Sequence, residues 1–357
     1  MNDPNLHVLI LAGGIGSRFW PASTPSVPKQ LLPLAGDDPL VVDTVRRARA
    51  LAPAERVHIL TGAHLVDPIR SVLPAEFSDA FLVEPRARGT GPVLAWAAWE
   101  LARRNPDALL VSLHSDHVVE PEEELIQTLS AAATVAREHD RLVTISATPD
   151  RPETGYGYIR PGSPLPLPDP APVEAFQVEA FVEKPDRERA REYVDQGYLW
   201  NTGIFVWTAR RFLDELRLHA PEVGDHLPLL ASGAMEDFFH TVPPISVDES
   251  VLERSGRVAS VRATFRWDDV GSWEALARSR GTDASGNVTV GDVHPVESKG
   301  NVVYSRGGPV VLFGVEDLLV VRTRGVTFVT PRSRGGDLKA LLQRLPPELR
   351  DPEGNSE

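Results

Sequence analysis

The chain has 357 residues, of which 42% are hydrophobic, and its 37 Lys and Arg against 50 Asp and Glu give a formal net charge of -13 at pH 7. That length and apolar content support a large domain plus a smaller one, and the acidic balance argues against a general nucleic-acid or anionic-membrane surface. With no cysteine, disulfides, thiolate zinc sites and cysteine nucleophiles are excluded. Any metal must be held by oxygen or imidazole, a restriction that suits Mg²⁺. The N-terminus lacks a basic and apolar signal segment, and no apolar run approaches the roughly 20 residues needed to span a bilayer, so a cytoplasmic location is the expectation.

The apolar run His7-Val8-Leu9-Ile10-Leu11 predicts a buried parallel strand and ends directly on Gly13, Gly14 and Gly16. Ligands of open α/β sheets collect at that end of a strand. The stretch LAGGIGSRFWP over 11–21, with Lys29 beyond it, therefore reads as a cradle for a nucleotide triphosphate. Glycine lets backbone N–H groups approach phosphate oxygens, while Arg18 and Lys29 supply positive charge. The alternative is a glycine turn with two surface cations. The loop fits neither G-x-G-x-x-G, whose third glycine would fall at Phe19, nor G-x-x-x-x-G-K-[ST].

Helical spacing follows over 39–51, then a strand over 56–62, a strand over 81–85, a helix over 93–104 and a strand over 108–113. A helix over 122–138 and a strand over 141–148 continue the alternation, which predicts a doubly wound, mostly parallel sheet. Residues 150–172 turn rich in Pro and Gly and read as a loop or hairpin excursion. Strands are expected over 178–183, 201–207 and 258–267, with helices over 187–196, 210–218, 235–241 and 248–254. The resulting domains are 1–284, a small β domain or a few solenoid rungs over 285–346, and a frayed tail over 347–357.

Asp116 lies just past the strand over 108–113, where its carboxylate would project into the ligand crevice, and Asp269 ends a second strand-like run far along the chain. Two carboxylates from separate strand ends can hold Mg²⁺, with waters and phosphate completing the octahedron; each could equally be a cap or turn residue. His114 and His117 show no paired zinc-ligand spacing and read as structural or outer residues. Glu183 and Lys184 offer an acceptor beside a cation for a sugar hydroxyl and a sugar phosphate, with an exposed ion pair as the bland competitor. Tyr156-Gly157 and Trp200-Asn201-Thr202-Gly203 could add ring, amide and backbone contacts to a sugar.

Taken in order, LAGGIGSRFWP with PKQ, EPRARGTGP, SDH, TGYGYI, FVEKP, LWNTGIF, ISVDESVLE and WDDVGSW resemble the sugar nucleotidyltransferases, in the branch of the mannose-1-phosphate guanylyltransferases. The resemblance covers roughly the first 280 residues. It implies a Rossmann-like nucleotidyltransferase domain with a small C-terminal β-helix-like domain, GTP and mannose 1-phosphate as substrates, Mg²⁺ as cofactor, and a homodimer through the C-terminal domain. It places Gly13, Gly14 and Gly16 around the nucleotide, Arg18 and Lys29 on its phosphates, and Glu84 and Thr90 in the base and ribose motif. Asp116 and Asp269 match its metal aspartates, Gly157, Glu183 and Asn201 its sugar contacts, and Lys184 the position facing the sugar phosphate; Asp248 falls in a motif of unassigned role. Two departures stand out: Gly89 replaces the usual Asn of the EPxxRNTxP motif, and His114-Ser115 replace Pro-Ala before the metal aspartate. Longer relatives carry a further isomerase domain for which this chain is too short, so transferase activity alone is expected.

Overall fold

Five apolar residues and His7 make up β1 (Leu6–Leu11), an interior strand of the main sheet, where both faces are covered by helices and nearly every side chain is buried. The computed structural model describes residues 3–14, 16–168 and 173–351. Ile15, the end of the proline-rich stretch at Pro170 and Pro172, and the last six residues of the expected tail lie outside them.

Strand β1 pairs in parallel with β2 (Val57–Gly62), which pairs with β3 (Phe81–Glu84), and on its other side with β4 (Leu109–His114). A short β5 (Val118–Glu120) leaves this sheet, which then takes in β6 (Leu142–Ala147), β7 (Tyr158–Pro164), β8 (Ala175–Val182), β9 (Leu199–Thr208) and β10 (Val258–Arg262). Among the described residues it has nine strands in the order β3-β2-β1-β4-β9-β6-β10-β8-β7. Strand β9 runs antiparallel between β4 and β6, so one half is parallel and the other mixed. The segment expected as a loop or hairpin is a hairpin: β7 and β8 pair antiparallel at the sheet edge.

Helix α1 (Leu40–Leu51) buries Leu40, Val41, Thr44, Val45, Ala48 and Leu51, the stripe its period dictates. An unforeseen α2 (Ala63–Arg70) follows β2, α3 (Thr90–Ala102) follows Gly89, and α4 (Glu122–Glu138) matches the expected span. The strand expected over 258–267 is broken. Its first part is β10, and its end is a separate β11 (Arg266–Asp268) that pairs antiparallel with β5.

The C-terminal region stacks parallel rungs: β12 (Val288–Val290), β14 (Val302–Ser305) and β16 (Leu318–Arg322) form one face, with β17 (Thr327–Pro331) antiparallel on its edge. The pair β13 (Val293–Val296) and β15 (Val310–Phe313) forms a second face. Buried Asn301 joins successive turns, donating to Asn287 Oδ1 at 2.9 Å and accepting from the Leu318 N–H at 2.9 Å. This is a β-helix-like solenoid.

The two regions share a core. Phe19, Trp20, Leu32 and Leu34 of the glycine-loop segment pack with Val288, Val302, Tyr304, Leu319 and Leu338. Trp20 meets Phe328 edge to face at 5.5 Å and donates its indole N–H to the Leu349 carbonyl at 3.2 Å, which docks the short helix Pro347–Arg350. Trp20→Ala should therefore destabilise the protein by about 3–5 kcal/mol, the usual cost of emptying a buried Trp site. Chemical denaturation checks this, and an unchanged midpoint would contradict the shared core.

Candidate active site

The ribbon of β5 and β11 assembles the centre. Its register sets Val118 opposite Asp268, so Asp116, two residues before, and Asp269, one residue after, emerge at the same end. Lys29, on a single helical turn after the glycine loop, reaches that end with Nζ 2.7 Å from Asp116 Oδ2 and 2.6 Å from the Asp269 carbonyl oxygen. Gly16 makes room for it: its φ is +73°, and a Cβ there would lie 2.3 Å from Lys29 Cβ. The Lys29 ammonium also sits over the Phe19 ring, 5.8 Å from its centroid.

Two cavities meet at this point. One, of about 280 Å³, is lined by Gly16, Arg18, Lys29, Asp116, His117 and Asp269 among others. Arg18 has no hydrogen-bond or ion-pair partner among the described residues, so its guanidinium is available to an anion. The second, of about 290 Å³, is lined by Gly13, Gly14, Gln30, Glu84, Gly89 and Thr90 among others, and shares His114 and Asp116 with the first. Thr90 begins α3, and its hydroxyl accepts the Val247 N–H at 2.9 Å. Gly89 has φ +82°, and a Cβ there would lie 2.6 Å from the Ile245 carbonyl oxygen. An Asn in this backbone would collide with it. A larger cavity of about 540 Å³ lies along β7 and β8 and contains none of these residues.

A third cluster holds the remaining candidates. Asn201 on β9 donates to Asp248 Oδ1 at 2.8 Å and accepts from Thr144 Oγ1 at 2.7 Å, while its backbone N–H donates to the Gly157 carbonyl at 2.8 Å. A Cβ on Gly157 would meet Glu183 Oε2 at 2.7 Å, so glycine lets that carboxylate lie against the backbone. Lys184 pairs with Glu183 and not with the Lys29 centre, and its side chain is 61% exposed. The run over 248–254, expected as a helix, is a π-helical turn, Asp248–Leu252, which presents Asp248 to this cluster.

Burial opposes charge throughout the site, and the partners decide the outcome. Burial raises the Asp116 carboxyl, but the charge and hydrogen bond of Lys29 outweigh it and hold Asp116 well below the usual carboxylate range. Asp269 is raised, by burial first, although Lys29 and the Tyr156 hydroxyl oppose this; that hydroxyl donates to Asp269 Oδ1 at 2.6 Å. Burial lowers both His114 and His117, which are neutral at neutral pH. Asp248 is raised by burial and by the charge of Glu183. Burial pushes Glu84 up to about 7, and its Oε2 is buried without a hydrogen-bond partner.

The donor set fits a divalent cation. Asp116 Oδ1 and Asp269 Oδ2 accept no hydrogen bond among the described residues, both residues line one cavity, and hard carboxylate oxygens suit such an ion. Sequence reasoning did not single out Gln30, or see that the Tyr156 hydroxyl fixes Asp269. Gln30 immediately follows Lys29 and gave a local signal, whereas Tyr156 and Asp269 lie 113 positions apart and only the fold joins them.

Two adjoining cavities of similar volume, one lined by Arg18, Lys29 and two aspartates and the other by glycines and Glu84, suit the phosphates and the nucleoside of a nucleotidyltransferase substrate. The family model for the nucleotidyl transferases matches residues 7–285, and that for the MannoseP isomerase/GMP-like β-helix domain matches residues 291–345. The alginate biosynthesis protein AlgA of Pseudomonas aeruginosa is 37% identical over 98% of this chain and 73% of its own length. A mannose-1-phosphate guanylyltransferase of Escherichia coli K12 is 34% identical over 97% of this chain and 74% of its own length. A crystal structure described as a mannose-1-phosphate geranyltransferase from Thermus thermophilus superposes with a TM-score of 0.86 at 32% identity, over 95% of this chain and 99% of that one. The chain belongs to the nucleotidyl transferase family and, within it, to the mannose-1-phosphate guanylyltransferases.

Glu84 makes a pH signature. Its folded-state pKa of about 7 exceeds the ordinary 4.5, so the folded protein keeps a proton that the unfolded chain loses, and stability falls as pH rises between those values. Glu84→Gln should lack this loss and gain on the wild type by on the order of 3 kcal/mol between pH 4 and pH 8. Urea denaturation at both pH values checks it; a pH-independent difference would contradict the assignment.

Proposed function

We propose that this chain transfers GMP from GTP to mannose 1-phosphate, releasing pyrophosphate, with Asp116 and Asp269 holding Mg²⁺. The observation that carries the reading is the Lys29 ammonium bound to both strand ends that bear these aspartates. A phosphate oxygen of mannose 1-phosphate attacks the α-phosphorus of GTP in line; the new P–O bond forms as the bond to the β-phosphate bridging oxygen breaks, and pyrophosphate leaves with the electron pair. The nucleophile is already an anion, so the work is positioning two repelling anions and neutralising developing charge. Arg18 and Lys29 face the phosphates, with Gly13, Gly14 and Gly16 allowing close backbone approach. Bound Mg²⁺ supplies Lewis-acid stabilisation of charge at the α-phosphate.

Guanine suits the second cavity. The unpartnered Glu84 carboxylate oxygen there matches the adjacent N1–H and N2–H donors of guanine, whereas adenine presents a lone pair at N1. Thr90 borders the same cavity on the ribose side. Asn201, Glu183 and the Gly157 backbone form the hydroxyl-binding wall for mannose, and Lys184 faces its phosphate. A homodimer through the C-terminal solenoid completes the reading, supported by the exposed apolar side chains Val296, Val311 and Phe313 on its β13–β15 face.

A pyrophosphate-release assay across nucleotides and sugar phosphates should give its highest kcat/KM with GTP and mannose 1-phosphate; a clear preference for another pair would overturn the assignment. Lys29→Ala should lower kcat by about 10²–10³-fold, the usual loss for one preorganised charge at a transition state. Undiminished turnover in that variant would remove Lys29 from the chemistry.

A further inference from the structure

We propose that Arg47 is a positioning residue for the transfer: from inside the protein it holds the backbone of the turn that carries Asp116, and so keeps that carboxylate opposite Lys29. This rests on the function proposed above, in which Lys29 and Asp116 serve the phosphates and the metal.

Arg47 lies on α1. The neighbouring arginines of that helix, Arg46 and Arg49, are exposed, whereas Arg47 is only 6% exposed. It has no ion-pair partner among the described residues. Asp43 and Glu122 act on it electrostatically, yet both pair with Arg46, at 2.8 and 3.6 Å. Burial lowers its pKa to about 10, which leaves the guanidinium charged at neutral pH. A buried cation without a counter-ion is costly to a fold. Packing alone therefore does not account for an arginine here, and its hydrogen bonds show what it does.

One nitrogen, Nη2, donates to Thr44 Oγ1 at 2.8 Å and to the His117 carbonyl oxygen at 2.9 Å. Thr44 stands three residues earlier on the same helix face. Its hydroxyl lies 3.1 Å from the Leu40 carbonyl and 3.3 Å from the His114 carbonyl, which share its single proton. Before Asp116, the Ser115 N–H donates to the Leu11 carbonyl of β1 at 3.0 Å. The backbone is thus tied on both sides of Asp116, by Ser115 to the sheet and by His117 to α1. Without the Nη2 donor the second tie is lost, and a displacement of about 1 Å at a group that must meet the reacting phosphates can cost about 10²-fold in rate. Methionine at 47 would fill the space without a donor, whereas lysine keeps the charge and a donor but not the planar fork.

The test uses the full chain with Arg47→Met, Arg47→Lys, Asp116→Asn and the double variant of Arg47→Met with Asp116→Asn. For each, kcat, both substrate KM values and the Mg²⁺ dependence of the rate are measured, and amide hydrogen exchange is followed over 114–118 and in the solenoid. Arg47→Met should lower kcat by about 10–100-fold, leave the KM for mannose 1-phosphate unchanged, raise the Mg²⁺ requirement, and speed exchange over 114–118 but not in the solenoid. Arg47→Lys should recover part of the rate. In the Asp116→Asn background Arg47→Met should have little further effect, because Arg47 acts through Asp116. Wild-type kcat in Arg47→Met, an equal loss in the Asp116→Asn background, or exchange that speeds alike throughout the chain overturns the proposal. If Arg47→Met does not fold, Arg47→Lys and Thr44→Val decide: lowered kcat with faster exchange over 114–118 is expected in both, and wild-type values in both overturn it. Asp116→Asn that transfers like the wild type overturns the underlying reading as well. A slow Asp116→Asn beside an unaffected Arg47→Met leaves that reading standing and removes Arg47 alone.

Discussion

A buried ammonium between two chain segments far apart in sequence is the interaction on which the site depends. Lys29 is only 6% exposed, a position that would cost several kcal/mol for an unpartnered charge. Asp116 Oδ2 and the Asp269 carbonyl offset that cost. The arrangement requires glycine at 16, the antiparallel register of β5 with β11, and a fixed path for the chain between residues 17 and 32. The last requirement explains why the solenoid is fused to this region. Phe19 and Trp20 are buried in the core it shares with the catalytic domain, so the segment carrying Arg18 and Lys29 is anchored on both sides.

The unsatisfied groups of the site are its binding potential. Glu84 Oε2 is buried without a partner, while Asp116 Oδ1 and Asp269 Oδ2, which accept no hydrogen bond among the described residues, belong to residues that line an open cavity. Native proteins rarely leave a buried group such as Glu84 Oε2 bare, because it carries a desolvation cost. Here these groups line cavities suited to a base with adjacent N–H donors and to a divalent cation. The Glu84 carboxyl, pushed up to about 7 by burial, shows the cost: the folded protein gives up stability as the pH rises from the ordinary carboxylate range to about 7. In this acidic chain Arg18 and Lys29 line the same cavity as Asp116 and Asp269, which gives it the local cations that an anionic substrate requires.

Much of this was legible in the residues. Apolar runs next to glycines marked β1 and the ligand end of the sheet, and the helical periods over 39–51 and 122–138 match α1 and α4 closely. The aspartates were visible as residues at strand ends, but local sequence could not show that the β5–β11 pairing brings them to one end of the ribbon. That pairing was hidden because the run over 258–267 reads as one strand, and nothing local shows that its two ends belong to different sheets. At position 89, where the sequence showed only that glycine stands for the usual Asn, the positive φ and the nearby Ile245 carbonyl leave no space for a side chain. Asp248 gave no role by its own sequence and gains one from its contact with Asn201, across 47 positions.

The account rests on Lys29 and Asp116 acting as one unit, and a double-mutant cycle on the transfer rate tests that directly. The rate constants of wild type, Lys29→Met, Asp116→Asn and the double variant would be compared at saturating substrates. The account predicts strong non-additivity, with a coupling energy of about 1–3 kcal/mol, as for residues in direct contact within one network. Effects of the two substitutions that simply add would contradict it, and would leave the contact between ammonium and carboxylate as a feature of the fold without a part in the chemistry.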